Sequence, residues 1–220
     1  MTIDIDNLIQ SITESINRID YIKADEIPNI ELYMDQVTRF FDERLRSTTR
    51  NKDEDKILTK TMINNYAKNN VLPAPVKKRY TRDHMITLLI IYYFKYFLSI
   101  SDVESIIKPL NDNYFGKTDG LTLVDIYEVI REQEEEQNDK VIEDIKSKFE
   151  TASKLYKTGN PEEEEILQMF AFITLLSADV YVKKLLIEKL VDGYREKVAG
   201  EEEFKEKSSK KDKEKSKKTD

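Results

Sequence analysis

The segment between residues 56 and 85 combines positive charge with side-chain amides. It holds seven Lys and Arg residues and one acid, whereas the whole chain has a formal net charge of −7. Lysine and arginine neutralise phosphates, and asparagine amides pair with the edges of bases. A basic segment in an acidic chain therefore favours contact with nucleic acid over the alternative, a merely solvated surface. The candidate contact residues are Thr59, Lys60, Thr61, Asn64, Asn65, Lys68, Lys77, Lys78, Arg79 and Tyr80.

Other kinds of chemistry find little support in the sequence. The chain has no Cys, one His and five Gly, which excludes thiolate zinc sites and a two-histidine metal site within the chain and disfavours glycine-rich phosphate loops. His84 stands alone in the first turn of a predicted helix, so we expect a surface or capping residue rather than a ligand. We predict no catalytic residue, no cofactor and no metal ligand, and we do not expect an enzyme.

A short helix and a basic extended segment are predicted to position the contact residues. Thr59 suits the N-cap of a helix over 60–68, because its hydroxyl can accept a hydrogen bond from a free backbone amide. Pro73 and Pro75 end that helix, and residues 76–80 then form a small β wing. Met62, Ile63, Tyr66 and Ala67 share the apolar face of the helix, and Lys60, Thr61, Asn64, Asn65 and Lys68 form its outer face.

The flanking sequence predicts further helices. Apolar residues at helical spacing indicate helices over 3–22, 30–45 and 102–110. A helix capped at Thr81 precedes the last of these and is so apolar that it must lie at the centre of its domain. Residues 46–56 contain no apolar residue and are predicted to form a loop. Pro109 is predicted to mark the end of the helix that contains it.

The second half of the chain is predicted to be helical as well. Residues 121–156 form a long charged helix, and Asn160-Pro161 starts another whose apolar residues cover much of its circumference. Packing against a second copy would cover that surface, so we expect a homodimer through the C-terminal helices. The predicted organisation is a domain over 1–111, a hinge over 112–120, a helical domain over 121–199 and a disordered charged tail over 200–220.

The fold class expected from these patterns is all-α with a small β wing. Acids at Asp4 and Asp6 argue against an export signal. The longest apolar stretch, 88–94, is far shorter than the roughly 20 residues that span a bilayer. We therefore expect a cytoplasmic protein with no membrane contact.

Several motifs resemble the DNA-binding domain of MerR-type transcription regulators over roughly Glu31–Leu110. In that family a Thr-hydrophobe-Arg-Tyr-Tyr helix precedes a Gly-Leu-hydrophobe-Pro turn, and here Thr61–Tyr66 (TMINNY) precedes Asn70–Pro73 (NVLP). The Arg-x-Tyr wing of the family corresponds to Lys78–Thr81 (KRYT). Its Leu-Gly-Phe-Ser-Leu step is echoed in 97–106, without the glycine. The whole chain also resembles a family of unknown function from low-GC Gram-positive bacteria.

The resemblance implies a winged helix-turn-helix domain that inserts helix 60–68 into the major groove of double-stranded DNA and rests wing 76–80 on the backbone. It also implies a transcription regulator that activates by distorting a promoter, and leaves room for an effector of unidentified chemistry. Asn64 and Asn65 replace the Arg and Tyr of the family, so the target sequence cannot be carried over. The alternative function is a protein–protein interaction or scaffold module that uses the winged helix without DNA.

Overall fold

Helices dominate the computed structural model, which describes Gln10, Ser11, Glu14 and residues 22–216. The helices are α1 (Met34–Leu45), α2 (Lys60–Lys68), α3 (Arg82–Phe94), α4 (Ile100–Tyr114), α5 (Leu123–Ser153) and α6 (Pro161–Ser216), with short 3-10 turns at Ala24–Glu26 and Arg46–Thr48. The all-α prediction is confirmed. The helix predicted over 3–22 lies largely outside the described residues.

A small antiparallel sheet joins two strands that are far apart in sequence. Strand β1 (Leu32–Tyr33) pairs with β2 (Arg79–Tyr80), so that Leu32 lies opposite Tyr80. A bridge between Val76 and Arg79 closes a hairpin in front of β2. The sheet thus connects the start of α1 to the segment that follows α2.

Helix α3 is buried on nearly every side, as its apolar sequence predicts. A helix without a polar face can be stable only when neighbours surround it. Strand β2 and helices α4 and α5 pack against it. Its fully buried side chains include Met85, Ile86, Leu88, Leu89, Ile91 and Tyr92.

Helix α4 continues past Pro109, so the predicted end at this proline is wrong. A proline removes one helical hydrogen bond and crowds the preceding turn. The residues on both sides of Pro109 are nevertheless held by packing: Ile107 is fully buried, and Thr87 Oγ1 donates a hydrogen bond to Asn111 Oδ1 at 3.2 Å. Tertiary contacts therefore outweigh the local signal.

The chain divides into two compact units, residues 1–180 and 181–220. The predicted hinge over 112–120 lies inside the first unit, in which the beginning of α5 is bonded to Ile22 and Ala24. Tyr127 Oη donates to the carbonyl oxygen of Ile22 at 2.5 Å, and Glu128 accepts from the backbone amide of Ala24. These contacts join residues more than a hundred positions apart, which no local pattern indicates.

The start of α6 follows its predicted signals. Asn160 Oδ1 accepts a hydrogen bond from the backbone amide of Glu162 at 3.2 Å. Within the first unit the ring of Phe172 meets that of Phe149 edge-on, with centroids 5.3 Å apart, which joins α6 to α5. Together with Ala152 and Ala171 these rings form a small apolar core.

The second unit consists of residues 181–220, of which the described part is helical. Residues 200–216 belong to the helix, whereas the composition predicts a disordered tail. Glu and Lys have high helix propensity, and the segment contains neither Pro nor Gly after Gly200. Among the described helices, none is long and apolar enough to cross a membrane.

Candidate nucleic-acid interface

Helix α2 is anchored at both ends and on its inner face. Thr59 Oγ1 accepts a hydrogen bond from the Met62 amide at 3.2 Å, which confirms the predicted cap. Ile63 is fully buried and Tyr66 nearly so. Beyond the helix, the amide of Leu72 donates to the carbonyl oxygen of Tyr66 at 3.1 Å, which folds the chain back over the last turn. The orientation of α2 is therefore fixed by burial and capping.

The outer face of α2 carries only polar side chains and no acid. All of its members are exposed, as the helical spacing predicts: Lys60, Thr61, Asn64, Asn65 and Lys68. Anchoring residues and exposed residues thus lie on opposite faces of one short helix.

The hairpin before β2 has two lysines at its tip. Lys77 and Lys78 have φ angles of +50° and +62°, so both occupy the left-handed region. Two-residue hairpins of this geometry usually use Asn-Gly, because a side chain with a Cβ is strained there by about 1–2 kcal/mol. Both lysines are exposed. The backbone therefore holds two adjacent cations at the tip despite a conformational cost.

Two other basic residues of the segment are paired with acids. Lys60 forms an ion pair with Asp35, at the start of α1. Arg79 lies 3.0 Å from Glu31, over the ring of Tyr33, and its hydrogen bond with Glu31 raises its pKa. The start of α2 and strand β2 therefore flank the same short segment, Glu31–Asp35. Within the described ranges, no carboxylate pairs with Lys68, Lys77 or Lys78.

The prediction that Tyr80 contacts a partner is corrected by its burial. Its side chain is 3% exposed, and its ring meets that of His84 edge-on, with centroids 5.4 Å apart. Position 80 faces inward because it lies opposite the buried Leu32 in the sheet. Tyr80 therefore packs into the core beneath the hairpin instead of facing a partner.

His84 is a buried capping residue. Its Nδ1 accepts a hydrogen bond from the backbone amide of Thr81 at 3.0 Å, so the proton of the neutral ring lies on Nε2, on the side of the Pro73 and Ala74 carbonyls. Burial lowers the pKa of His84 to about 4. The capping prediction is confirmed, and the ring is neutral near pH 7.

Residues 22–130 match the model of a family described as a domain of unknown function, DUF1836. The DUF1836 region includes both elements of the candidate interface and the first turns of α5. Neither the curated proteins nor the solved structures provide a match. The match does not support the MerR-type resemblance, which stays a prediction.

The structure brings together only part of the predicted contact set. Within the DUF1836 region the hydroxyl of Thr59 is used by the cap and Tyr80 is buried. The sequence prediction missed Glu31 and Asp35, the two acids that neutralise basic residues of the site. The Glu31–Arg79 pair follows from the pairing of β1 with β2, and the Asp35–Lys60 pair from the contact of α1 with α2. The sequence contains no local signal for either contact. Among the residues that the structure describes, no group of three His, Asp or Glu side chains is placed to hold a metal ion.

Proposed function

We propose that the DUF1836 region binds double-stranded DNA as a MerR-like winged helix-turn-helix, with α2 in the major groove and the hairpin tip on the phosphate backbone. The observation that carries the proposal is the outer face of α2, which is exposed, polar and free of acids. A short helix anchored on one side and polar on the other is the element with which helix-turn-helix proteins read base edges.

The proposed contacts divide into two kinds. Lys68, Lys77 and Lys78 neutralise phosphates, which sets affinity and its dependence on salt. Asn64 and Asn65 can each pair with N6 and N7 of adenine, and α2 contains no arginine that would favour guanine. We therefore expect A·T base pairs at the centre of each recognised half-site.

The proposed biological role is that of a sequence-specific transcription regulator in the cytoplasm. The sequence also predicts a homodimer through the C-terminal helices, which stays a prediction. Ile166, Phe170 and Ile173 of α6 are exposed at a spacing of four and three residues, as in the seam of a coiled coil. Sedimentation of the full chain tests this, since a monomer at all concentrations would contradict it.

Fluorescence anisotropy with duplex DNA, titrated at several salt concentrations, tests DNA binding. We expect a steep loss of affinity with salt, and Lys78→Ala should reduce the salt slope by about one counterion. Lys140→Ala removes the same charge from the exposed middle of α5 and should change neither affinity nor slope. Absence of measurable binding at low salt would overturn the proposal.

The alternative is a protein-interaction module that uses the same surface without DNA. It is favoured by the ion pairs of Lys60 and Arg79, which reduce the positive charge of the site. Replacing both acids, Glu31→Gln with Asp35→Asn, separates the two proposals. DNA binding predicts higher affinity and a salt slope steeper by up to about two counterions, because two cations are released. The interaction module predicts no binding of DNA by either form.

A further inference from the structure

An apolar slot lies between helices α3, α4 and α5. Its volume is about 300 Å³, at the lower end of the range for small-molecule sites. The walls are formed mainly by Ile90 and Phe94 of α3, Ile106 and Leu110 of α4, and Ile126 and Ile130 of α5. Such walls favour an apolar ligand body, because burial removes its surface from water.

Two charged side chains of α5 line the slot, and they differ in how their charge is compensated. Arg131 is 8% exposed and donates to Glu128 at 2.8 Å and to Glu135 at 2.7 Å, so two carboxylates balance it. Glu134 has no ion-pair partner in the described part of the chain. Partial burial against the slot raises the pKa of the Glu134 carboxyl, while the residue as a whole remains exposed to solvent.

Glu134 is well placed to meet a ligand that enters the slot. It lies one helical turn beyond Ile130, so both side chains share a face of α5. The same two residues also border a wider groove that runs along α5 to Val141. The slot and the groove therefore share the side chains of Ile130 and Glu134.

We propose that this slot binds a small hydrophobic cation, with its apolar body between α3, α4 and α5 and its ammonium group against Glu134. A carboxylate next to a low-dielectric wall attracts a cation more strongly than it would in bulk water. A neutral molecule of the same shape gains only the apolar contacts, and an anion is repelled. This site does not rest on the proposed binding of DNA.

Calorimetric titration of the full chain with three matched probes tests the proposal. The probes are 4-phenylbutylamine, 4-phenylbutan-1-ol and 4-phenylbutanoate, which share an apolar body and differ in charge. We expect the amine to bind about tenfold more tightly than the alcohol, equivalent to about 1.4 kcal/mol, and the carboxylate to bind least. Equal affinities for all three, or no binding of the amine at millimolar concentration, would overturn the proposal.

Three variants locate the site. Glu134→Gln should reduce the affinity for the amine to that for the alcohol and leave the alcohol unaffected. Glu132→Gln removes an exposed carboxylate from the same helix and should change neither affinity. Ile130→Phe should fill the slot and abolish binding of both probes, while its partial exposure limits the effect on folding. Unchanged binding in a folded Ile130→Phe variant, or equal effects of the two glutamate variants, would contradict the assignment.

Discussion

Helix α2 and the hairpin tip both expose basic side chains, but they are held in place differently. In α2 the anchors Ile63 and Tyr66 are buried while the contact residues are exposed on the other face. At the tip, Lys77 and Lys78 form the turn themselves, with positive φ angles. Stability and binding can therefore be changed separately in α2, whereas at the tip a substitution that relieves the positive φ angles also removes the charge.

The basic residues of the segment also differ in whether an acid neutralises them. Lys60 and Arg79 are paired with Asp35 and Glu31. Among the described residues, no acid pairs with Lys68 or with the two lysines of the tip. The number of basic residues in the segment therefore overstates the charge offered to a partner, and the tip supplies much of what remains.

The largest expected effect is the loss of the α2 anchor. Ile63→Ala removes a fully buried side chain, so we expect a loss of about 3 kcal/mol in the free energy of unfolding. Urea denaturation followed by circular dichroism measures it. Asn64→Ala, on the exposed face, should cost less than about 0.5 kcal/mol. Similar costs for the two variants would contradict the separation of anchor and contact faces.

The free energy of unfolding is expected to depend on pH through His84. Its folded pKa of about 4 lies below the ordinary value of 6.5, so the unfolded chain binds the proton first. The contribution of neutral His84 to the free energy of unfolding is therefore complete above pH 6.5. It decreases by at most about 3 kcal/mol as the pH falls towards 4. Unfolding measured across this range checks the prediction.

The control for this titration is His84→Gln. Glutamine retains a hydrogen-bond acceptor for the Thr81 amide but does not titrate. Subtracting its stability curve from that of the native chain removes the contribution of carboxylates that titrate in the same range. The difference should decrease from pH 6.5 to pH 4. Parallel curves would mean that the burial of His84 has no energetic consequence.

A smaller effect is expected at the cap of α2. Thr59→Ala leaves the Met62 amide without its side-chain acceptor and should cost about 1 kcal/mol of unfolding free energy. Thr59→Ser keeps the hydroxyl and should cost much less. If both variants lose the same stability, the methyl group of the half-buried Thr59 matters more than its hydrogen bond.

The sequence predicted what depends on neighbours along the chain. The bounds of α2, its cap and its exposed face follow from residues within two turns of one another, and the structure confirms them. Burial of Tyr80 and the ion pair of Arg79 depend instead on the register of β2 against β1, more than forty residues earlier. Tyr127 and Ile22, which form a hydrogen bond, are even farther apart in sequence. Local periodicity contains no information on such pairs.

The continuation of α4 through Pro109 is a case in which a local signal was present and gave the wrong prediction. The local signal was strong, but the packing of Ile107 and Asn111 against the rest of the domain overrides it. Likewise, the apolar slot cannot be predicted from sequence, because the apolar patterns of its three helices do not indicate how the helices are arranged. Only their arrangement leaves Glu134 beside it.

The smallest expected change in stability is at the hairpin tip. There a substitution that stabilises the fold should weaken DNA binding. Lys77→Asn with Lys78→Gly places residues suited to positive φ in the turn, and should stabilise the fold by about 0.5–1 kcal/mol. The same substitution removes two cations and should reduce the salt slope of DNA binding by about two counterions. The double alanine variant loses the same charge but keeps the strain, so it should match the loss of binding without the gain in stability. Equal stability of the two variants would show that the turn is not strained. If both variants bind DNA as tightly as the native chain, the tip is not part of the interface.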